Sequence, residues 1–220
     1  MADQKVNTKK RGKLPNPLSP PGTTRLYEEK RYAHFDQKIV NILEHTIIKT
    51  LLAKAHVENG SMLNVPCGFG RFTDIIQSYN IHIHFFDLHP RMVARCRERF
   101  AGRGHTFCNG SIRELPYRDN CIDIVFTIRF FHHLFSQEDR ISMLKELHRV
   151  TRKYAILTYY DATIFHSIMK RLNNKGHKIL MMKKKDFYKE LQQVGFKPVI
   201  EKTLLPVLHA QKFLLLAKIK

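Results

Sequence analysis

Met62-Leu63-Asn64-Val65-Pro66-Cys67-Gly68-Phe69-Gly70-Arg71 is the stretch on which the reading of this 220-residue chain turns. Its apolar half reads as a buried strand over Ser61–Val65, and its glycines as the tight turn that opens a helix over Arg71–Tyr79. Glycine at 68 and 70 removes side chains where the backbone must come close to a ligand, and the helix that follows favours a negative group at its start. A strand over Ile81–Phe86 comes next. It ends in Phe85-Phe86-Asp87-Leu88, with Asp87 placed 19 residues after Gly68. A carboxylate at the end of the neighbouring strand can accept both hydroxyls of a ribose. The same residue type also caps helices, and His89-Pro90 supplies a helix start just beyond it.

Working outward, short apolar runs alternate with helical ones. Upstream, Ile39, Leu43, Ile47 and Leu51 recur every four residues, with Val40 and Ile48 beside them, and predict an amphipathic helix from Asp36 to about Ala55. Asn59-Gly60 stops it. Downstream the pattern predicts a helix over Arg91–Phe100, strands over His105–Cys108 and Cys121–Ile128, and a helix over Gln137–Val150 capped by Ser136. A strand over Tyr154–Tyr159 and helices near Thr163–Leu172 and Lys185–Val194 complete the alternation. This is the signature of a parallel sheet with right-handed crossovers. The ending differs. Lys197–Leu205 and Phe213–Ile219 follow one another too closely for a crossover helix, which predicts an antiparallel hairpin.

Two other nucleotide-binding loops are demoted by spacing. A dinucleotide fingerprint counted from Gly68 needs a third glycine where Thr73 stands, and no Gly-Lys-Ser/Thr follows as a P-loop requires.

Gly68, Gly70 and Asp87, with Asn109-Gly110-Ser111-Ile112-Arg113-Glu114-Leu115-Pro116-Tyr117, resemble class I methyltransferases, particularly the widespread type-11 group. Cys121-Ile122-Asp123-Ile124-Val125-Phe126-Thr127 and His132-His133-Leu134 are similar to that group's fourth-strand region. The resemblance covers about residues 60–220 and includes the terminal hairpin. It implies an α/β, Rossmann-like three-layer sandwich with a mostly parallel seven-stranded sheet and a C-terminal antiparallel hairpin, and an enzyme that uses S-adenosyl-L-methionine (SAM). Carried across, Gly68 and Gly70 line the amino-acid end of SAM, with Asn64, Pro66 and Cys67 in the same loop. Asp87 binds the ribose with Leu88 beside it, Ser111 and Ile112 flank the adenine, and Thr127 lies beneath the methionine portion. The chain departs from the family pattern in three places: Asn64 stands where an acid is common, Pro66 where the loop's first glycine is usual, and Ser111 where an acid often faces the adenine.

SAM brings its own leaving group, so the protein's task is alignment of acceptor, methyl and sulfur, which can lower a barrier by roughly 7–11 kcal/mol. His132 and His133 follow the fourth strand and are candidates to orient or deprotonate an acceptor. Tyr160 ends the fifth strand on the same edge, and adjacent Tyr159 must point to the other face. Asp161 is a helix-cap candidate, and Arg129 a candidate for an anionic acceptor or a surface residue. His82 and His84 share one face of a strand, but no third ligand accompanies them and no metal is expected.

Composition bounds the rest. With 43% hydrophobic and 26% charged residues the chain suits one folded domain. Residues 1–24 read as a basic, proline-rich flexible tail, residues 25–220 as the catalytic domain, and 25–59 as a helical lid segment in which Tyr27, Tyr32 and Phe35 would cover the cofactor. No transmembrane or secretory run is apparent, so the cytoplasm is the expected location, with peripheral attachment at an anionic surface in view. Cys67, Cys96, Cys108 and Cys121 form no C-x-x-C pair, which argues against a zinc knuckle and a disulfide framework. The 38 Lys and Arg against 19 Asp and Glu give a net charge of +19. Much of it sits in two clusters, Arg91, Arg95, Arg97, Arg99, Arg103 and Lys170, Arg171, Lys175, Lys178, Lys183, Lys184, Lys185. Such a surplus draws polyanions. The expected acceptor is a small or lipid-like metabolite, because no aromatic-rich RNA-binding signature accompanies the lysines. An RNA acceptor and a non-catalytic binding protein of the same fold are the alternatives.

Overall fold

A computed structural model describes residues 35–162, 179–204 and 210–219. The chain divides into residues 1–42 and 43–220; of the first unit, only the opening of helix α1 (Phe35–Ala55) is described. The expected tail, Tyr27, Tyr32 and the side chain of Phe35 lie outside the described residues, as does the expected helix near Thr163–Leu172.

The second unit is built on one seven-stranded sheet. Its elements are β1 (Ser61–Asn64), α2 (Thr73–Gln77), β2 (His82–Asp87), α3 (Pro90–Phe100), β3 (Thr106–Asn109), β4 (Ile122–Thr127), α4 (Gln137–Val150), β5 (Thr151–Tyr160), α5 (Lys184–Gln193), β6 (Phe196–Thr203) and β7 (Gln211–Lys218). The strand order is β3-β2-β1-β4-β5-β7-β6, and β1 to β5 run parallel. β7 lies antiparallel between β5 and β6, which is the predicted terminal hairpin. Central β4 is buried at every residue, as a strand covered on both faces must be. Edge strand β6 instead has one buried residue, Phe196, followed by half-buried and exposed ones, and carries Lys197, Pro198 and Lys202. Proline is tolerated only where no ladder donor is needed, and lysines discourage edge-to-edge pairing.

Local signals set several boundaries. Ser136 Oγ accepts the Asp139 N–H at 3.4 Å, and α4 begins directly behind it. His89 precedes α3, whose first residue is Pro90. Helix α2 is shorter than its apolar pattern predicts, because Gly70 O accepts the Thr73 N–H at 3.0 Å and keeps residues 70–73 in a turn.

Helix α1 buries Ile48 and Leu51 of its expected apolar stripe but is turned away from the rest of it. Its buried line is Glu44, Ile48, Leu51, Leu52 and Ala55, with Leu43 and Ile47 only half-buried. One residue's step on a helix is about 100°, so the stripe centred on Leu43 and Ile47 is turned toward Glu44. The reason is electrostatic and belongs to the site.

Candidate functional site

In the order β3-β2-β1-β4-β5 the winding reverses between β1 and β4, and such a reversal opens a crevice at the strands' carboxyl ends. The loop after β1 sits there, pinned from both neighbours. Val65 N–H donates to Phe126 O at 3.0 Å on β4, and Cys67 N–H to Phe86 O at 2.9 Å on β2. Asn64, Asp87, Asn109, Thr127 and Tyr160, the last residues of the five parallel strands, are thereby gathered along one edge.

Within the loop the two glycines do different work. Both have left-handed backbones, φ +51° at Gly68 and +67° at Gly70. A Cβ on Gly68 would meet no atom of the described residues within 4 Å, whereas one on Gly70 would lie 2.7 Å from Phe100 Cε2 and 2.9 Å from Thr73 Oγ1. Among the described residues Gly68 therefore opens onto free space, and Gly70 permits close packing of the turn on α3. Cys67 turns inward, its Sγ 3.8 Å from that of Cys96, which also donates to Gly68 O at 3.3 Å. Its hydrogen bond with Cys96, then burial, pushes the Cys67 thiol far above its ordinary range, so this sulfur is no nucleophile.

Asp87 is 5% exposed and joins the two halves of the crevice. Its Oδ2 accepts the Gly68 N–H at 3.0 Å, and its Oδ1 the His89 N–H at 2.9 Å. An ionised carboxylate has about four acceptor positions, so two remain for a ligand. Both readings of this residue, ligand acid and local cap, are compatible with that geometry. Leu88 beside it is an exposed apolar side chain. Asn109 Nδ2 holds this turn by donating to the carbonyls of Asp87 at 2.7 Å and Leu88 at 2.9 Å. Gly110 is required behind it, since a Cβ there would stand 2.7 Å from Phe86 Cζ. Ser111 Oγ accepts the Arg113 N–H at 3.2 Å, and Ile112 is buried. Thr127 is fully buried, and its hydroxyl has no partner among the described residues.

At the next strand end, the His132 ring lies 5.0 Å from that of Tyr160 and 3.9 Å from that of His133. His132 is buried and His133 exposed. Tyr160 Oη donates to Gln211 Oε1 at 3.4 Å. Tyr159 points the other way, its ring 4.6 Å from Phe187. Burial, then the Glu201 carboxylate, raises its phenol above the usual range. Asp161 continues the edge, bridging Met182, while the helix it was expected to cap is not described.

Glu44 is the residue that sequence reasoning missed. Fully buried on α1, it accepts from Arg129 Nε at 3.0 Å and Nη2 at 2.7 Å, and it pairs with Arg71 through its other oxygen. Arg129 has a left-handed backbone, φ +56°, and its N–H donates to Thr158 Oγ1 at 2.6 Å. The pairing thus ties the loop after β1 to the turn after β4 and explains the rotation of α1. The available signal was position: 44, 48, 51, 52 and 55 fall on one helix face.

Among the described residues no group of three or more His, Cys, Asp or Glu is placed to hold a metal, and no helix is long and apolar enough to cross a membrane.

Comparison with known proteins agrees with this architecture. A family model described as a methyltransferase domain matches residues 63–158. The malonyl-[acyl-carrier protein] O-methyltransferase of Pectobacterium atrosepticum is 28% identical over 120 residues, covering 53% of this chain and 45% of that protein. The chain thus spans under half the length of that relative. The magnesium protoporphyrin IX methyltransferase of Synechocystis, solved with S-adenosylhomocysteine (SAH) bound, superposes with a TM-score of 0.72 at 16% identity, over 90% of this chain and 95% of that one. An S-adenosylmethionine-dependent methyltransferase of Clostridium acetobutylicum does so with a TM-score of 0.66 at 11% identity, over 90% and 98%. At such identities the likeness is one of fold.

Proposed function

From a chain whose residues 63–158 match a methyltransferase domain, we propose a class I enzyme that moves a methyl group from SAM to a small or lipid-like metabolite. The observation that carries this reading is the Gly68 N–H bond to Asp87 at the sheet's switch point, with open space over Gly68. The residues present fit SAM. Asp87 keeps acceptor capacity for two ribose hydroxyls, and exposed Leu88 offers apolar contact to the nucleoside. Ile112 and Ser111 border the adenine. Asn64, Pro66 and the backbone of Cys67 frame the methionine half together with Gly68, and Gly70 sets the turn behind them. The buried Thr127 hydroxyl supplies a polar atom in want of a partner. When bound, SAM contributes a sulfonium whose methyl is already electrophilic.

The protein's share is then to orient the acceptor and exclude water. His132, its ring packed on Tyr160, is the residue we assign to hold the acceptor or take its proton, with His133 at the rim. Arg129 is committed to Glu44 and is not given that role. A metabolite is favoured over RNA because the relatives are named for malonyl carried on acyl-carrier protein and for magnesium protoporphyrin IX. The basic clusters support attraction to anionic partners and do not by themselves name one.

Calorimetric titration should give one SAM per chain, with at least tenfold weaker binding in Asp87→Ala; no binding would remove the cofactor assignment. Tritiated SAM incubated with cell extract, then fractionated, should label small molecules or lipid. Label in RNA would overturn the acceptor class.

A further inference from the structure

At the opposite edge of the sheet, a cavity of about 400 Å³ is lined by Gln77, Asn80, Ile81, His82, Arg103 and His105. His82 begins β2 and Asp87 ends it, so at ~3.3 Å per residue the cavity lies roughly 16 Å from the cofactor crevice. Among the described residues none that lines it is acidic.

Its hydrogen bonds do not balance. Arg103 Nη1 donates to Gln77 Oε1 at 2.6 Å, which leaves Gln77 Nε2 at 2.9 Å from His105 Nε2. The other ring nitrogen, His105 Nδ1, accepts the Ile83 N–H at 3.3 Å. A neutral imidazole has one acceptor nitrogen and one N–H. With Nδ1 accepting, Nε2 carries the proton and confronts another N–H. Turning the Gln77 amide satisfies His105 and confronts Arg103 instead. Either way, among the described residues, the cluster holds one donor more than it has protein acceptors.

The ionisable side chains here are all bases as well. The His82 ring lies 6.1 Å from that of His105 and 4.6 Å from that of His84. Burial, then the neighbouring His82 and Arg103, lowers the His105 pKa, and burial with His82 and His105 lowers that of His84 to about 4. These groups repel protons from one another because nothing anionic lies among them.

We propose that this cavity binds the phosphoryl group of a small phosphomonoester, held by Arg103, His82 and His105. A tetrahedral oxyanion presents acceptors in several directions at once, which is what the surplus donor lacks, and guanidinium is well matched to phosphate. The volume falls within the ~300–1,000 Å³ usual for organic ligands, so a carbon skeleton fits beside the phosphate against Ile81. A metal would instead need the ring nitrogens as free acceptors, and His105 Nδ1 is already used.

The test is titration of the full chain with ribose 5-phosphate, chosen because it lacks the adenine that the SAM crevice would take, and with inorganic phosphate. Both are followed by calorimetry and by the imidazole resonances of His82 and His105 at constant ionic strength. Saturation at one per chain with movement of both resonances is expected. Arg103→Gln should weaken binding at least tenfold and His82→Asn at least threefold, with SAM affinity unchanged in both, so that this site and the SAM crevice fail or stand separately. Tighter binding of ribose 5-phosphate than of phosphate identifies an ester as the ligand, and equal binding overturns that part in favour of the free ion. Resonances that do not saturate, or equal affinity in Arg103→Gln, would overturn the site.

Discussion

Alanine at Gly68 and at Gly70 should separate binding from stability, although the two glycines stand two residues apart in one loop. Each substitution forces a side chain into a left-handed backbone, at about 1–2 kcal/mol. At Gly68 the cost stops there, because the new methyl meets no atom of the described residues within 4 Å. At Gly70 the methyl would stand 2.7 Å from Phe100 Cε2, 2.9 Å from Thr73 Oγ1 and 3.3 Å from Cys96 Sγ. The Phe100 ring cannot swing aside freely, being stacked on Phe85 at 5.5 Å, which is stacked in turn on Phe107 at 5.1 Å. Overpacking of this kind adds about 1–3 kcal/mol, for a total of about 2–5. At roughly 2–4 °C of Tm per kcal/mol for a domain of this size, Gly68→Ala lowers Tm by about 2–8 °C and Gly70→Ala by about 4–20 °C. SAM affinity should run in the opposite order. The Gly68 methyl enters the space assigned to the cofactor, and a loss of about 1.4 kcal/mol or more is tenfold or more in Kd. Folded Gly70→Ala, assayed well below its Tm, should bind SAM more tightly than Gly68→Ala does. Thermal unfolding and calorimetry on the two variants decide the matter. Undiminished affinity in Gly68→Ala would show that the loop does not face the cofactor, and equal stabilities would refute the packing argument.

Three further outcomes follow from buried charge. His84 is neutral in the fold with a pKa of about 4 against the ordinary 6.5, so its contribution is intact above pH 7 and is lost as pH falls through 6.5 toward 4. At pH 5 linkage puts the loss at about 2 kcal/mol, and His84→Leu should flatten urea midpoints measured between pH 7 and 5 by that much. Arg140 and Glu190, both under 10% exposed, are paired through two bonds of 3.0 and 2.7 Å, so Arg140→Met should cost about 3–5 kcal/mol in denaturant titrations. Arg140→Met combined with Glu190→Met should recover much of that loss. Glu44→Gln leaves two guanidinium groups without their carboxylate, and about 3 kcal/mol of stability should go, with weaker SAM binding in the fraction still folded.

What could be read in advance divides along a physical line. The Gly68 turn, Asp87, the Ser136 cap and the antiparallel ending were legible because each depends on residues close in sequence or on chemistry only one residue type supplies. The alternation of apolar runs was legible because a sheet covered on both faces leaves no other pattern. The Gly68–Gly70 distinction was not legible, since both residues satisfy the same turn and only the position of Phe100 separates them. The His82–His105–Arg103 cavity was not legible either. Its residues sit on three segments, and the donor imbalance exists only once Gln77 is brought between two of them.

Glu44 shows most clearly why periodicity misplaced a helix face. A pattern built on apolar residues counts every acid as a solvent position, and on that rule α1 turns its Leu43–Ile47 line inward. The rule fails where an acid's desolvation is offset by cations delivered from elsewhere. Here the cations come from 27 and 85 residues away, one on each loop that borders the crevice. Neither arginine announces this in sequence, where Arg71 reads as a first-turn helix residue and Arg129 as a loop charge. Because both loops belong to the crevice, the ion pairs that orient α1 also fix the separation of its walls. A carboxylate with no contact to substrate would then set cofactor affinity through the positions of two loops. That coupling is why Glu44→Gln is expected to move cofactor binding and stability together, whereas Arg140→Met, which holds the Leu134 and Phe135 carbonyls and touches neither Arg71 nor Arg129, should move stability more than cofactor affinity.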